Sequence, residues 1–167
     1  PVIQTSIHSF IFSRGFTESF RKFSPDPLIY CTMREDFDSF LLSRATGVGA
    51  KVEFGVHVTG ILNKPGHVVV NTRKGEFTSL LLVGAEGAGG IVARSTGLWT
   101  DNLPGLAWEA EVRVDAGSVE RFRDTVFLDW GAFPGGYGWL FPKAGHFSIG
   151  VGGPASLAPR MKEYYRE

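Results

Sequence analysis

Apolar and polar positions alternate most clearly between residues 135 and 153. Tyr137, Trp139 and Phe141 fall on one side of a strand, a turn follows at residues 143–146, and Phe147, Ile149 and Val151 continue beyond it. The stretch predicts a β-hairpin. Residues 106–114 alternate as well. Trp108, Ala110 and Val112 lie on one side, with Glu109, Glu111 and Arg113 on the other, as in a half-exposed strand. The runs 57–62 and 67–72 are joined by the turn signal Asn63-Lys64-Pro65-Gly66. Residues 77–83 are almost wholly apolar, the pattern of a strand buried on both faces. Further strands are predicted at 28–33, 51–54 and 126–130. Residues 1–13 read as a short strand or irregular entry, and 15–27 as a loop with little strand, restricted by Pro25 and Pro27.

Helical spacing is rarer. Phe37, Phe40, Leu41 and Ala45 share one face of a helix that opens at residues 34–38, with Asp36 as its candidate cap and Gly47 and Gly49 at its end. A short helix is predicted over 118–125 after a loop at 97–104. Another begins at 154, with Leu157, Met161 and Tyr164 on its inner side. Together these elements predict an α+β fold: a mixed, largely antiparallel sheet with one or two packed helices.

Composition narrows the class. With 43% hydrophobic and 20% charged residues, the chain is globular rather than disordered. A net charge of zero offers no global attraction for nucleic acid. No apolar run is long enough to span a bilayer and no signal peptide is visible, so a cytoplasmic location is expected. The single cysteine, Cys31, excludes an internal disulfide, fits a reducing compartment, and sits in an apolar strand as a buried thiol. The 22 glycines and 14 phenylalanines favour a turn-rich β fold over a helical bundle.

Three stretches carry candidate chemistry. In the hairpin, three aromatics make an apolar wall, while Gly136, Gly138, Gly150, Gly152 and Gly153 leave room for something to approach the backbone. The plain alternative is a core hairpin packed on a helix. Gly84-Ala85-Glu86-Gly87-Ala88-Gly89-Gly90-Ile91-Val92-Ala93-Arg94 takes an apolar run into a small-residue turn containing an acid, a way to present backbone amides to a phosphate or sugar. A simple strand-to-helix turn would look the same. Arg34 is either a bidentate anion donor or half of a surface ion pair with Glu35 or Asp38.

The run Tyr137-x-Trp139-x-Phe141-Pro142, then seven residues, then Gly150-x-Gly152 resembles the Y-x-W-x-F-P-(x7–8)-G-x-G signature of the geranylgeranyl reductase family. Those enzymes use FAD to saturate isoprenoid double bonds, on a fold similar to that of para-hydroxybenzoate hydroxylase. The resemblance implies that Tyr137, Trp139, Phe141, Pro142, Gly150 and Gly152 line the substrate tunnel. Arg34-x-x-Phe37-Asp38-x-x-Leu41 is similar to the family's R-x-x-F-D-x-x-L segment, and residues 84–94 to its G-A-D-G-x-x-S-x-V-R motif. This implies FAD contacts from Arg34, Glu86, Gly87 and Arg94. Glu86, Gly90 and Ala93 depart from the Asp, Ser and Arg of that motif, with Arg94 one place late.

The resemblance begins near Arg34. The family's G-x-G-x-x-G and later G-D motifs are absent, so the chain reads as the middle of a larger reductase. Residues 1–97 would hold part of the FAD domain, and residues 98–167 the substrate-binding sheet and a C-terminal helix. The expected partner is an isoprenoid or lipid substrate and no nucleic acid; the basic side of the last helix reads first as a solvated face, with peripheral membrane contact as the alternative. No strong proton donor is evident, and Tyr137 is the candidate. No metal site is read, and nothing in the sequence points to an electron donor or an oligomeric state. Two other readings stay open. One is an FAD-dependent monooxygenase or halogenase of the same superfamily; the other is a non-catalytic lipid- or partner-binding module.

Overall fold

The structure is a computed structural model that describes residues 2–98, 105–131 and 133–166. The chain forms two compact units, Pro1–Val48 with Pro104–Glu167, and Gly49–Leu103. The predicted loop at 97–104 lies mostly outside the described residues.

The larger unit is built on six strands. In chain order they are β2 (Ser9–Arg14), β3 (Glu18–Phe23), β8 (Leu106–Arg113), β9 (Thr125–Trp130), β10 (Tyr137–Lys143) and β11 (His146–Gly153). Across the sheet they run β3-β2-β9-β10-β11-β8. The β2–β9 pair is parallel and the other neighbours antiparallel, which gives the expected mixed, largely antiparallel sheet. Against one face lies a two-stranded ribbon of β1 (Ile3–Ile7) and β4 (Ile29–Thr32), whose Ile7 and Cys31 form a core with Val126. Phe10, Leu128 and Phe141 close around it. On the opposite face, a 3-10 turn (Ala155–Leu157) leads into α4 (Ala158–Tyr164). Met161 packs there on Phe133 and Val151, with Leu157 and Tyr164 beside it, as helical spacing predicts. Helix α3 (Ala116–Phe122) sets Phe122 edge-on to Phe147 on this helix face. Asp115, not singled out in the sequence, caps α3 by accepting the Ser118 amide.

Residues 15–27 are more regular than predicted. Gly15 and Phe16 both have positive φ, at 56° and 59°, and turn the chain tightly enough for β3 to pair with β2. The non-glycine residue in that left-handed position is tied down at both ends. Its amide donates to Asp129 Oδ1 at 2.9 Å, and its ring stacks on Tyr164. Tyr164 reaches back to the sheet, its hydroxyl donating to Asp129 Oδ2 at 3.0 Å. Gly138, opposite Asp129 in the register, leaves the space: a Cβ there would overlap the Tyr164 hydroxyl.

Helix α1 (Arg34–Gly47) also differs in detail. Its N-cap is Met33, without a side-chain bond, so Asp36 adds first-turn charge rather than the cap. Phe37, Phe40 and Leu41, expected to be buried, are exposed, because no described residue covers that stripe.

In the smaller unit, β5 (Val58–Lys64), β6 (His67–Thr72) and β7 (Gly75–Ser79) form an antiparallel meander around the predicted turns. Residues 51–54 are not a strand. The apolar run of 77–83 is strand only to Ser79. Leu80, Leu81 and Val83 are 81%, 85% and 84% exposed, since no described segment pairs with them.

Asp129→Ala should remove the partner of the Phe16 amide and the Tyr164 hydroxyl together. A loss of about 2–4 kcal/mol in urea-unfolding stability is expected, against about 1 kcal/mol for Tyr164→Phe. The buried Cys31 thiol is held above its ordinary pKa of 9.0 by desolvation, with Lys143 pulling weakly the other way. Folding therefore favours the neutral thiol. Its contribution is intact below pH 9.0 and falls as pH rises toward the raised value. The native chain should resist alkylation at about pH 8 until denaturant is added.

Candidate functional site

The hairpin β10–β11 holds the signature residues in direct register, with Tyr137 opposite Gly152 and Trp139 opposite Gly150. A Cβ on Gly150 would overlap the Trp139 indole and stand 2.7 Å from the Trp108 carbonyl oxygen; on Gly152 it would be 3.2 Å from Trp139 Cζ3. The indole thus lies flat across the bare backbone of β11. Its Nε1 donates to Glu109 Oε2 on β8 at 3.1 Å, which fixes the ring across three strands. The other hairpin glycines are filled from the helix face. Phe133 occupies the side-chain space of Gly136 and Gly153, and Tyr164 that of Gly138. What approaches the backbone at these positions is the chain's own aromatics.

The six signature residues divide by burial. Phe141 packs into the Ile7–Cys31–Val126 core, and Pro142 is fully buried. Pro142 lies past the last β10–β9 pair at Leu140, where its missing N–H costs no ladder bond. Tyr137 and Trp139 remain accessible. Tyr137 leans on Trp139 with ring centroids 5.4 Å apart, and on Trp130 of β9 at 6.2 Å. At the far end of the hairpin, Glu111 takes Lys143 Nζ at 2.6 Å and stands 3.1 Å from His146 Nε2.

Two features escaped the sequence reading. The first is Trp130 with its neighbours Phe12 and Phe20, which share the face of Tyr137 and Trp139; the alternation of Phe10 and Phe12 was the available signal. The second is a groove of about 480 Å³ on the helix face, walled by Phe16, Phe122, Phe127, Leu140, Ile149 and Tyr165 and bordered by Trp139 and Gly150 of the signature.

The residues expected at FAD are placed as follows. Arg34 is exposed in the larger unit and gives two hydrogen bonds from Nε and one from Nη2 to Asp38, which raise its pKa. Glu86, Gly87 and Arg94 are in the smaller unit. Glu86 turns its carboxylate onto the Val92 amide at 2.6 Å and the Ile91 amide at 2.8 Å, at the start of α2 (Ile91–Ser95). Gly90 permits this, for a Cβ there would stand within 3.0 Å of the Glu86 side chain. Arg94 and Glu86 border a shallow depression of about 590 Å³.

The fold recurs in solved flavin-dependent enzymes. Over 97% of the chain and 32% of the other protein, it superimposes on CmlS, a flavin-dependent halogenase, with a TM-score of 0.72 and 22% identity. It superimposes as well on the halogenase PltM, solved in complex with phloroglucinol and FAD, over 93% of this chain and 36% of that one, with a TM-score of 0.70 and 18% identity. In sequence, the chain is 32% identical over 130 residues to digeranylgeranylglycerophospholipid reductase 2 of Methanopyrus kandleri, covering 74% of this chain and 33% of that protein. It is 29% identical over 157 residues to the chloroplastic geranylgeranyl diphosphate reductase of Oryza sativa, covering 84% and 34%. No family model matches the chain. The chain spans about a third of the length of the curated relatives it matches. It is a partial-length relative of the geranylgeranyl reductases, as its signature suggested.

Gly150→Ala should unseat Trp139, costing about 1–3 kcal/mol of stability and weakening the near-ultraviolet circular dichroism. Gly152→Ala, whose Cβ would meet Trp139 Cζ3 at 3.2 Å without overlap, should cost less, about 1 kcal/mol. Equal effects at both positions would contradict the indole placement.

Proposed function

We propose that the chain is the substrate-binding part of a flavin-dependent reductase that saturates isoprenoid double bonds. The observation that carries this reading is the accessible pair Tyr137 and Trp139, locked on the sheet by Gly150 and Glu109. A long apolar chain needs a preformed apolar wall with few polar demands, and this face supplies one. The names of the sequence relatives support the same substrate class.

The residues present do not form a phosphate cradle for FAD. The α2 amides already donate to Glu86, and Arg34 is paired with Asp38. FAD would therefore be held chiefly by parts of the parent protein outside this chain. Hydride transfer would be the flavin's chemistry, and binding and orientation this chain's share. The exposed apolar residues Leu80, Leu81 and Val83 fit a cofactor-domain strand whose neighbours lie elsewhere in the parent. In this reading the substrate sheet of residues 98–167 is completed by β2 and β3, which the expected boundary at 97 had assigned to the FAD domain, and residues 49–97 are the part that contributes to the FAD domain. Among the described residues no helix is long and apolar enough to cross a membrane. A cytoplasmic protein meeting lipid at the membrane surface, with Arg160 and Lys162 of α4 toward the head groups, fits a lipid substrate. A halogenase-type reading rests on the shared fold alone.

Titration of the chain with geranylgeraniol, and in parallel with phloroglucinol and phenol as compact aromatic ligands, tests the proposal through tryptophan fluorescence. Saturable binding of the isoprenoid alone is expected, together with no saturable binding of FAD. Preference for a compact aromatic would move the reading to the halogenase side, and binding of neither class would overturn it.

A further inference from the structure

The signature hairpin supplies only one end of a longer aromatic surface. From Trp139 and Tyr137 the rings continue across the sheet through Trp130 to Phe12 of β2, 5.5 Å away, and Phe20 of β3, 5.1 Å further. Strand alternation and register put all five on the same face, with Phe12 opposite Phe20 and Tyr137 opposite Trp130. Each ring-to-ring step, between 5.1 and 6.2 Å, is close to the span of one extended isoprene unit. At the Phe20 end the surface dips into a groove of about 470 Å³, walled by Phe12, Arg14, Glu18, Phe20, Trp130 and Gly131.

The two ends differ in charge. Beyond Trp139 stand Glu109 and Glu111, offset by Lys143 and by Arg113, which faces His146 in the register. Those charges cancel. Beside Phe12 and Phe20 stand Arg14 and Lys22 on the same face, against one acid, Glu18. Neither cation is in an ion pair among the described residues, and the Arg14 stem lies against Gly131. An anion meets a net positive charge only at this second end.

We infer that Phe12, Phe20 and Trp130 extend the signature wall into a track that holds an isoprenoid chain across β10, β9, β2 and β3, with an anionic head group at the Arg14–Lys22 end. This rests on the proposed function and adds the end that takes the head group and the direction in which the chain lies. Phe20 is more than half exposed, so its loss leaves the fold intact and removes a contact with ligand. Phe23 is just as exposed but on the other face of the same strand.

The test is a titration with geranyl, farnesyl and geranylgeranyl phosphates and the matching alcohols, below their aggregation thresholds, read by tryptophan fluorescence. Affinity should rise with chain length and be greater for phosphates than for alcohols. Phe20→Ser, beside the head group, should weaken geranyl and geranylgeranyl phosphates alike by about tenfold, whereas Tyr137→Ser, toward the far end, should weaken geranylgeranyl phosphate by about tenfold and geranyl phosphate by less than about twofold, the loss of one aromatic contact. Phe23→Ser should change neither. Arg14→Gln should reduce the advantage of phosphate over alcohol, and Arg14→Gln with Lys22→Gln should abolish it. If Trp139→Ala weakens every ligand while Phe20→Ser and Arg14→Gln leave binding unchanged, the track is wrong and the substrate-wall reading stands. If no ligand binds the unaltered chain, the substrate-wall reading itself falls.

Discussion

The Trp139 indole lying on the bare backbone of Gly150 is the contact on which the larger unit's binding face depends. An aromatic ring over a cross-strand glycine covers backbone that would otherwise face water and pins the strand register, since a one-residue slip would drive the ring into a side chain. The same device recurs on the helix face, with Phe133 over Gly136 and Gly153, and Tyr164 over Gly138. Glycines that look like gaps in the sequence are seats for rings supplied from within the chain.

This arrangement separates stability from binding. Phe141 and Pro142 are committed to the core, and Asp129 ties the β2–β3 turn and α4 to the sheet centre. Tyr137 and Trp139 are then held rigidly while keeping accessible surface. A rigid apolar wall suits a ligand that offers almost nothing but apolar length, because little further ordering is needed on binding.

Strand positions in the hairpin, in β5–β6 and in β8 were legible because alternation and turn residues agreed there. The β2–β3 hairpin was not, because its turn depends on Phe16 in a left-handed conformation stabilised by Asp129, a partner 113 positions away. Local pattern carries no trace of such a partner. The helical spacing at residues 37–41 and the apolar run at 77–83 both predict buried surface, yet such patterns say only that a cover is wanted, not that the described residues supply it. In the candidate site, the spacing of the signature was readable but its division into core and surface was not, since that follows from where the β1–β4 ribbon lies. The acid in the 84–94 turn suggests an anion cradle, but local pattern does not show that the Glu86 carboxylate accepts from the Ile91 and Val92 amides of its own turn.

The two faces of the sheet offer the most direct test. An isoprenoid chain is expected on the face of Trp139, whereas the 480 Å³ groove walled by Phe127, Ile149 and Tyr165 lies on the opposite one. Photo-crosslinking with a diazirine-bearing geranylgeranyl phosphate, followed by peptide mapping, distinguishes them. Labels on Tyr137 and Trp130, neither of which lines that groove, are the predicted result. Labels concentrated on Phe127, Ile149 and Tyr165 would contradict that placement.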